Sequence, residues 1–285
     1  MGHELKDTLH DYWSRRIQQH NPSYGETMTQ DRFLHILSFL HFADNSQRCD
    51  EDKEYGRLWK LRTVFDKLNK SYAKFYNPSE HLAVDEVIVK FKGRVIFRQY
   101  IPKKRKHLGI KICKHCNESG YTYDMSVYLV RDSHSTTDDK TATHTTVRHL
   151  SSRVAGLGHK IFMDIFFSSP SLYDDMDRYK INSCRTVLPN RRDMPSDFGP
   201  KKLKLKRGDV RVRTRGGLTA LVWKDRREVY MVTNMDPPSA GGNFYDNSNR
   251  PMKPNIVEQY NQHMDYVNNS DRMANSYSMS QRTFK

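Results

Sequence analysis

The sequence predicts a mixed α/β fold from three stretches: apolar residues at helical spacing in the first eighty residues, short β-rich runs from Leu82 onward, and further strands after Asp209. In the helical part, Phe33, Ile36, Leu37 and Leu40 share one helix face, and Leu58, Leu61, Val64, Phe65 and Leu68 share another. Next come strands at Leu82 to Phe91, Gly109 to Cys113, Tyr121 to Val130 and Lys160 to Phe167, with a helix around Thr145 to Val154 before the last. The Pro- and Lys-rich stretch from Asn190 to Asp209 reads as a loop leading to strands at Val210 to Thr214, Thr219 to Trp223 and Glu228 to Thr233. Pro237 to Pro254 is irregular, and a last helix starts near Asn255, with Asn255 as N-cap and Glu258 completing a capping box.

Charge narrows the partners more than it narrows the fold. The 285 residues carry 48 Lys and Arg against 33 Asp and Glu, a net charge of +15. No apolar run approaches a membrane span, and the first residues lack the apolar core of a secretory signal, so the expectation is an intracellular protein without a membrane partner. Four cysteines are too few for a disulfide scaffold. The lone pair Cys113 and Cys116 has no second ligand pair to make a zinc site and reads as small residues near a strand end. The glycosylation patterns at Asn69 and Asn117 match by sequence only.

Asp85 is the informative anomaly, because it interrupts Leu82-Ala83-Val84 and Val87-Ile88-Val89, a run that belongs in a buried strand. A buried carboxylate must be protonated, paired with a basic side chain, or bound to a metal ion. Asp164 repeats the pattern after Ile161-Phe162-Met163. Carboxylates on neighbouring strands could hold two Mg²⁺ ions about 3.5–4 Å apart for phosphoryl transfer. The competing reading gives each acid its own Arg or Lys. On the final helix the stripe Ile256, Tyr260, Met264, Val267 continues to Asp271, with Asn268 beside it, so either a polar pair replaces apolar residues on the inward face or the helix ends there and the stripe has simply stopped. Asp174, Asp175 and Asp177 read as a solvated helix face.

Basic residues gather at Lys103, Lys104, Arg105 and Lys106. A second cluster has eight cations in fifteen residues: Lys201, Lys202, Lys204, Lys206, Arg207, Arg211, Arg213 and Arg215. This density is a footprint for a polyanion and argues for DNA over a small-molecule substrate. On a strand, Arg211, Arg213 and Arg215 lie on one face, which suits a phosphate backbone and reads no base. An ordinary solvated edge, and for Lys103 to Lys106 a nuclear-localisation signal, are the plainer readings.

With these residues in view, nearly the whole chain from Trp13 to Lys285 resembles piggyBac-type DNA transposases of the transposable-element-derived branch. The resemblance rests on Arg32-Phe33-Leu34 through Leu40-His41-Phe42, Val84-Asp85-Glu86, Phe91-Lys92-Gly93-Arg94, Tyr100-Ile101-Pro102-Lys103-Lys104 and Gly109-Ile110-Lys111. It continues in Asp164 with Phe166-Phe167-Ser168-Ser169, Asn190-Arg191, Met194-Pro195, Tyr260-Asn261-Gln262 and Asp271-Arg272-Met273. It implies a ribonuclease H-like core that uses Mg²⁺, two ions if active, to nick transposon ends, form hairpins and join DNA at TTAA sites in the nucleus. Asp85 and Asp164 match the first two catalytic aspartates, the third falls on Asn268, and Asp271 matches a nearby additional aspartate. The implied organisation is a helical dimerisation and DNA-binding part over 1–80, the first part of the catalytic core over 81–189, a β-rich insertion domain over 190–250, and a core helix over 251–285.

The departures bear on chemistry. Asn268 offers an amide oxygen without charge, which predicts weaker metal affinity and impaired cleavage. Ile165, Arg185 and Asp265 stand where the family usually has Asn, Gly and Gly. The family's cysteine-rich C-terminal module does not follow Lys285, so a fragment or decayed copy is expected. The resulting hypotheses are an impaired transposase-derived DNA-binding protein, a competent enzyme in which Asp271 or Asp265 takes over as ligand, and a domesticated non-catalytic chromatin or DNA-binding module.

Overall fold

The computed structural model describes residues 4, 6, 8–44, 46, 56–102, 104, 107–129, 142–167, 170–191, 194–199, 203–235 and 253–276. The chain splits into two compact units, Asn69–Ser270, and Met1–Leu68 with Asp271–Lys285. No helix among the described residues is long and apolar enough to cross a membrane.

The smaller unit holds α1 (Pro22–Thr27), α2 (Gln30–Ser38) and the start of α3 (Trp59–Phe75). Local chemistry starts the first two helices. Asn21 caps α1 by accepting from the Ser23 backbone N–H at 3.1 Å, with Pro22 supplying a preset φ, and Thr29 caps α2 by accepting from Arg32 at 3.3 Å. Phe33 packs against Trp13 with the rings tilted and their centroids 5.2 Å apart, while Ile36, Phe39 and Leu40 stay exposed.

The larger unit is built on one nine-stranded sheet. Its strands are β1 (His81–Lys90), β2 (Arg98–Tyr100), β3 (Leu108–Cys116), β4 (Thr122–Val127), β5 (Lys160–Met163), β6 (Asn182–Thr186), β7 (Val210–Arg215), β8 (Leu218–Lys224) and β9 (Glu228–Thr233). They lie in the order β2-β3-β1-β5-β6-β9-β8-β7, with β4 on β3. Parallel pairing is confined to the centre, β1 with β5 and β5 with β6; β5 reads as an apolar run, whereas β6, Asn182-Ser183-Cys184-Arg185-Thr186, is polar in sequence although its middle three residues are buried. Chain returns through α4 (Ala142–Ser151) and α5 (Pro170–Arg178) make these parallel neighbours possible. Leu82, Val84, Ile161 and Met163 pack under Val147 and Leu150 of α4 and Leu172 and Met176 of α5. The opposite face is covered by α6 (Asn255–His263), whose Ile256, Val257 and Tyr260 join Phe162 and Cys184, and by the start of α7 (Tyr266–Ser276), whose Tyr266 and Val267 meet Ala83 and Val87.

Several local expectations change. The strand expected over Lys160 to Phe167 stops at Met163, because the Phe167 N–H turns back to Asp164 O at 3.1 Å and closes a 3-10 turn over Ile165–Phe167. Asn255 is the first helical residue and not a cap. Pro254 takes the cap position, its carbonyl accepting from the Glu258 N–H at 3.1 Å. The last helix also breaks at Met264 and Asp265, so the stripe does not run on. On α7 the buried face up to Ser270 is Tyr266, Val267 and Ser270, and Asn268 is exposed. Asp175 is not on a solvated face: Asp174 and Asp177 are exposed, but Asp175 turns inward to His144 Nε2 at 2.7 Å. Strands β7 to β9 join the core sheet through β9 and β6, and Pro237 to Asn249 lies outside the described residues.

Candidate metal centre where a parallel strand ladder stops

The parallel register of β1 and β5 ends at Val84 opposite Met163, and the next residue in the chain after each is an acid, Asp85 within β1 and Asp164 just past the end of β5. Asp85 and Asp164 therefore meet where the ladder stops, outside the carboxyl end of β5, the place where α/β sheets bind ligands. Glu86 joins them: one carboxylate oxygen each from Asp85, Glu86 and Asp164 lies within 4.8 Å of the others. Alternation along a strand would send Asp85 and Glu86 to opposite faces. With no β5 residue left in the ladder, however, the Glu86 backbone N–H donates to Asp85 Oδ1 at 2.7 Å, which turns that carboxylate along the strand.

Asp85 and Glu86 are buried and Asp164 is half-buried. Burial, and then the Glu86 carboxylate beside it, push the Asp85 carboxyl up to about 8. Two lysines respond to the same field. Burial works against the charge on Lys104, but Glu86, Asp85 and Asp164 hold its ammonium above the ordinary lysine range. Burial depresses Lys111, whose Nζ lies over the Phe166 ring at 3.0 Å from the centroid.

The competing reading, a basic partner for each acid, holds for Glu86 alone. Lys104 Nζ is 3.3 Å from Glu86 Oε1. The cross-strand neighbour of Asp85 is Lys114, yet its ammonium donates to Ser270 Oγ at 3.1 Å. Among the described residues, neither Asp85 nor Asp164 makes an ion pair, and the buried Glu86 Oε2 has no hydrogen-bond partner. An all-oxygen set with excess negative charge and an orphaned oxygen fits a hard divalent cation.

Other expected site residues are less concentrated. Asn268 Nδ2 donates to Asp265 Oδ1 at 3.0 Å, so each of these two departures from the usual residues engages the other. Asp271, further along α7, falls in the smaller unit. Arg185 is fully buried, stacks on Tyr173 at 4.0 Å and donates to Phe167 O at 2.6 Å, bracing the turn that follows Asp164. Lys103, Arg105, Lys106, Lys201 and Lys202 lie outside the described residues. Lys204, Lys206, Arg207, Arg211, Arg213 and Arg215 are exposed along and before β7, the far edge of the sheet. Arg207 pairs with Asp225 at 3.0 Å and Arg213 with Asp197 at 2.6 Å. Cys113 and Cys116 are buried on opposite faces of β3 and form no zinc pair, while Asn69 and Asn117 are buried and hydrogen-bonded, closed to glycosylation.

The family model described as "Transposase IS4" matches residues 1–285. The chain belongs to the piggyBac-type transposase family. It is 26% identical to the human PiggyBac transposable element-derived protein 3 over 284 residues, covering 95% of this chain and 47% of that protein. It is 23% identical to the human PiggyBac transposable element-derived protein 2 over 287 residues, covering 96% and 48%. Among solved structures it is similar to the piggyBac transposase in a synaptic complex with hairpin DNA, with TM-score 0.79 and 28% identity over 91% of this chain and 53% of that one. The large mixed sheet is thus the ribonuclease H-like core of this piggyBac relative. The chain spans about half the length of these relatives. In the sequence Glu86 stands out only as part of the Val84-Asp85-Glu86 triplet, and its place beside an acid inside a strand is the signal for its role.

Proposed function

We propose that this chain is a transposase-derived, DNA-binding protein in which Asp85, Glu86 and Asp164 bind Mg²⁺, and in which strand cleavage and transfer are impaired at the position of Asn268. The observation that carries the reading is the approach of the three carboxylates to within 4.8 Å where the parallel β1–β5 ladder stops. When bound there, a divalent ion would offset charge on a phosphate under attack and acidify a coordinated water. Asp85, Glu86 and Asp164 supply the anionic oxygens, and Arg185 braces the backbone beside Asp164. Lys204, Lys206 and the arginines of β7 bind a phosphate backbone without reading sequence. Asn268 brings no negative charge and shares its amide with Asp265.

The same reading gives the protein transposon ends and TTAA targets as its DNA, a nuclear location, and a homodimer as its working form. Its test is a Mg²⁺-dependent nicking assay on TTAA-flanked ends with the natural chain, Asn268→Asp and Asp85→Ala. Weak cutting by the natural chain, stronger cutting by Asn268→Asp and none by Asp85→Ala are expected. Robust cutting by the natural chain overturns the impairment, and cutting by Asp85→Ala overturns the site. A domesticated DNA-binding module is the second reading, favoured by the neutral Asn268 together with the exposed arginines. It predicts no cleavage by any form and DNA binding that survives loss of Asp85.

A further inference from the structure

We infer that Lys104 is a built-in counter-cation of the carboxylate pocket, holding Glu86 until a divalent cation takes its place. The inference rests on the cation-binding reading of Asp85, Glu86 and Asp164 and adds a competitor to it. The Lys104 ammonium sits 3.3 Å from Glu86 Oε1, and the two side chains differ sharply in access, 40% exposed for Lys104 and 7% for Glu86. The lysine therefore reaches in from the surface toward a carboxylate fixed in the sheet, and it can swing out again without disturbing the core.

One ammonium is also a poor match for the charge it meets. Three carboxylates converge, and Glu86 Oε2 remains buried without a hydrogen-bond partner while Oε1 faces the lysine. A compact ammonium satisfies the oxygen it touches, whereas a divalent cation draws several oxygens into one shell. Losing the partner of a buried carboxylate is costly unless another cation replaces it, and the incoming divalent ion supplies that replacement charge to Glu86. The other lysines nearby are otherwise engaged, Lys111 over the Phe166 ring and Lys114 with Ser270. Lys104 belongs to the basic run Lys103 to Lys106, so its release returns one positive charge to a segment whose charge suits a polyanion. Cation binding and polyanion binding then favour each other, as linkage requires.

The test titrates Mn²⁺ alone, by calorimetry and by thermal unfolding, into the full chain and its variants. Lys104→Gln and the second neutral variant Lys104→Met are expected to bind Mn²⁺ about fivefold more tightly than the natural chain. Lys104→Arg should bind no more tightly, because it keeps the competing charge. Lys160→Gln, which removes the partner of Glu80 on the neighbouring strand, should leave affinity unchanged and controls for a general loss of positive charge. Neutral Lys104 variants that bind like the natural chain or more weakly overturn the inference and leave the metal site standing, as does an equal gain in Lys160→Gln. Absence of Mn²⁺ binding in the natural chain and in both neutral variants overturns the site and the inference together. Binding by the neutral variants alone supports both.

Discussion

Asp85 shows what one buried carboxylate does to the pH response of the fold. Burial and the Glu86 charge push its carboxyl up to about 8, while in the unfolded chain an aspartate titrates near 3.9. Between roughly pH 4 and pH 8 the native state keeps a proton that the unfolded state releases, so stability falls as pH rises through this window. Without divalent cations, the thermal midpoint should therefore drop by several degrees from about pH 5 to about pH 8. Asp85→Asn should flatten that slope, and under the proposed cation-binding reading saturating Mn²⁺ should do the same by favouring the ionised form. Thermal unfolding across the range decides it, and a slope unchanged in Asp85→Asn removes Asp85 as its source. The neighbouring acid was harder to read from sequence: Asp85 stands out against apolar neighbours, but Glu86 joins it only because the β5 ladder ends one residue earlier.

At the scale of elements, the position of the carboxylates depends on how closely β1 and β3 run. Gly109 on β3 lies against Lys90 of β1, and a Cβ there would come 2.2 Å from Val89 O and 2.9 Å from Ile88 Cγ2. Backbone cannot yield as a flexible side chain can, so Gly109→Ala forces the strands apart. The expected loss is on the order of 2 kcal/mol, read as a lowered denaturant midpoint with an unchanged slope. An unaltered midpoint would show that the pair accommodates the methyl group. The β1 run was legible because a strand buried on both faces reads as apolar throughout. The end of β5 was not, since Phe166 and Phe167 are as apolar as any strand residue and only the Phe167 to Asp164 hydrogen bond shows the chain turning.

For the whole molecule, the net charge of +15 is spread unevenly, and β7 carries part of it to the far edge of the sheet. Arg211, Arg213 and Arg215 are exposed on one strand face, while Asp197 shares Arg213 at 2.6 Å. Replacing all three by alanine should weaken binding to duplex DNA of any sequence. It should also flatten the slope of log K against log salt by about two to three, the partnered Arg213 contributing least. Fluorescence anisotropy at several salt concentrations measures both, and a slope equal to that of the natural chain would take this edge out of the interface.

The sequence by itself determined the mixed α/β class, the apolar strands β1 and β5 but not the polar central strand β6, the basic density and the two acids that apolar neighbours make conspicuous. Each of these is a local pattern, written in residue type and spacing along a few turns or a few strand residues. Only the tertiary structure decided that β1 and β5 are parallel neighbours in one register, that Glu86 and Lys104 complete the cluster, and that α6 breaks before α7 and leaves Asn268 exposed. Those facts follow from pairing between segments far apart in the chain, where the energy of contact and the electrostatics of shared burial belong to neither segment alone.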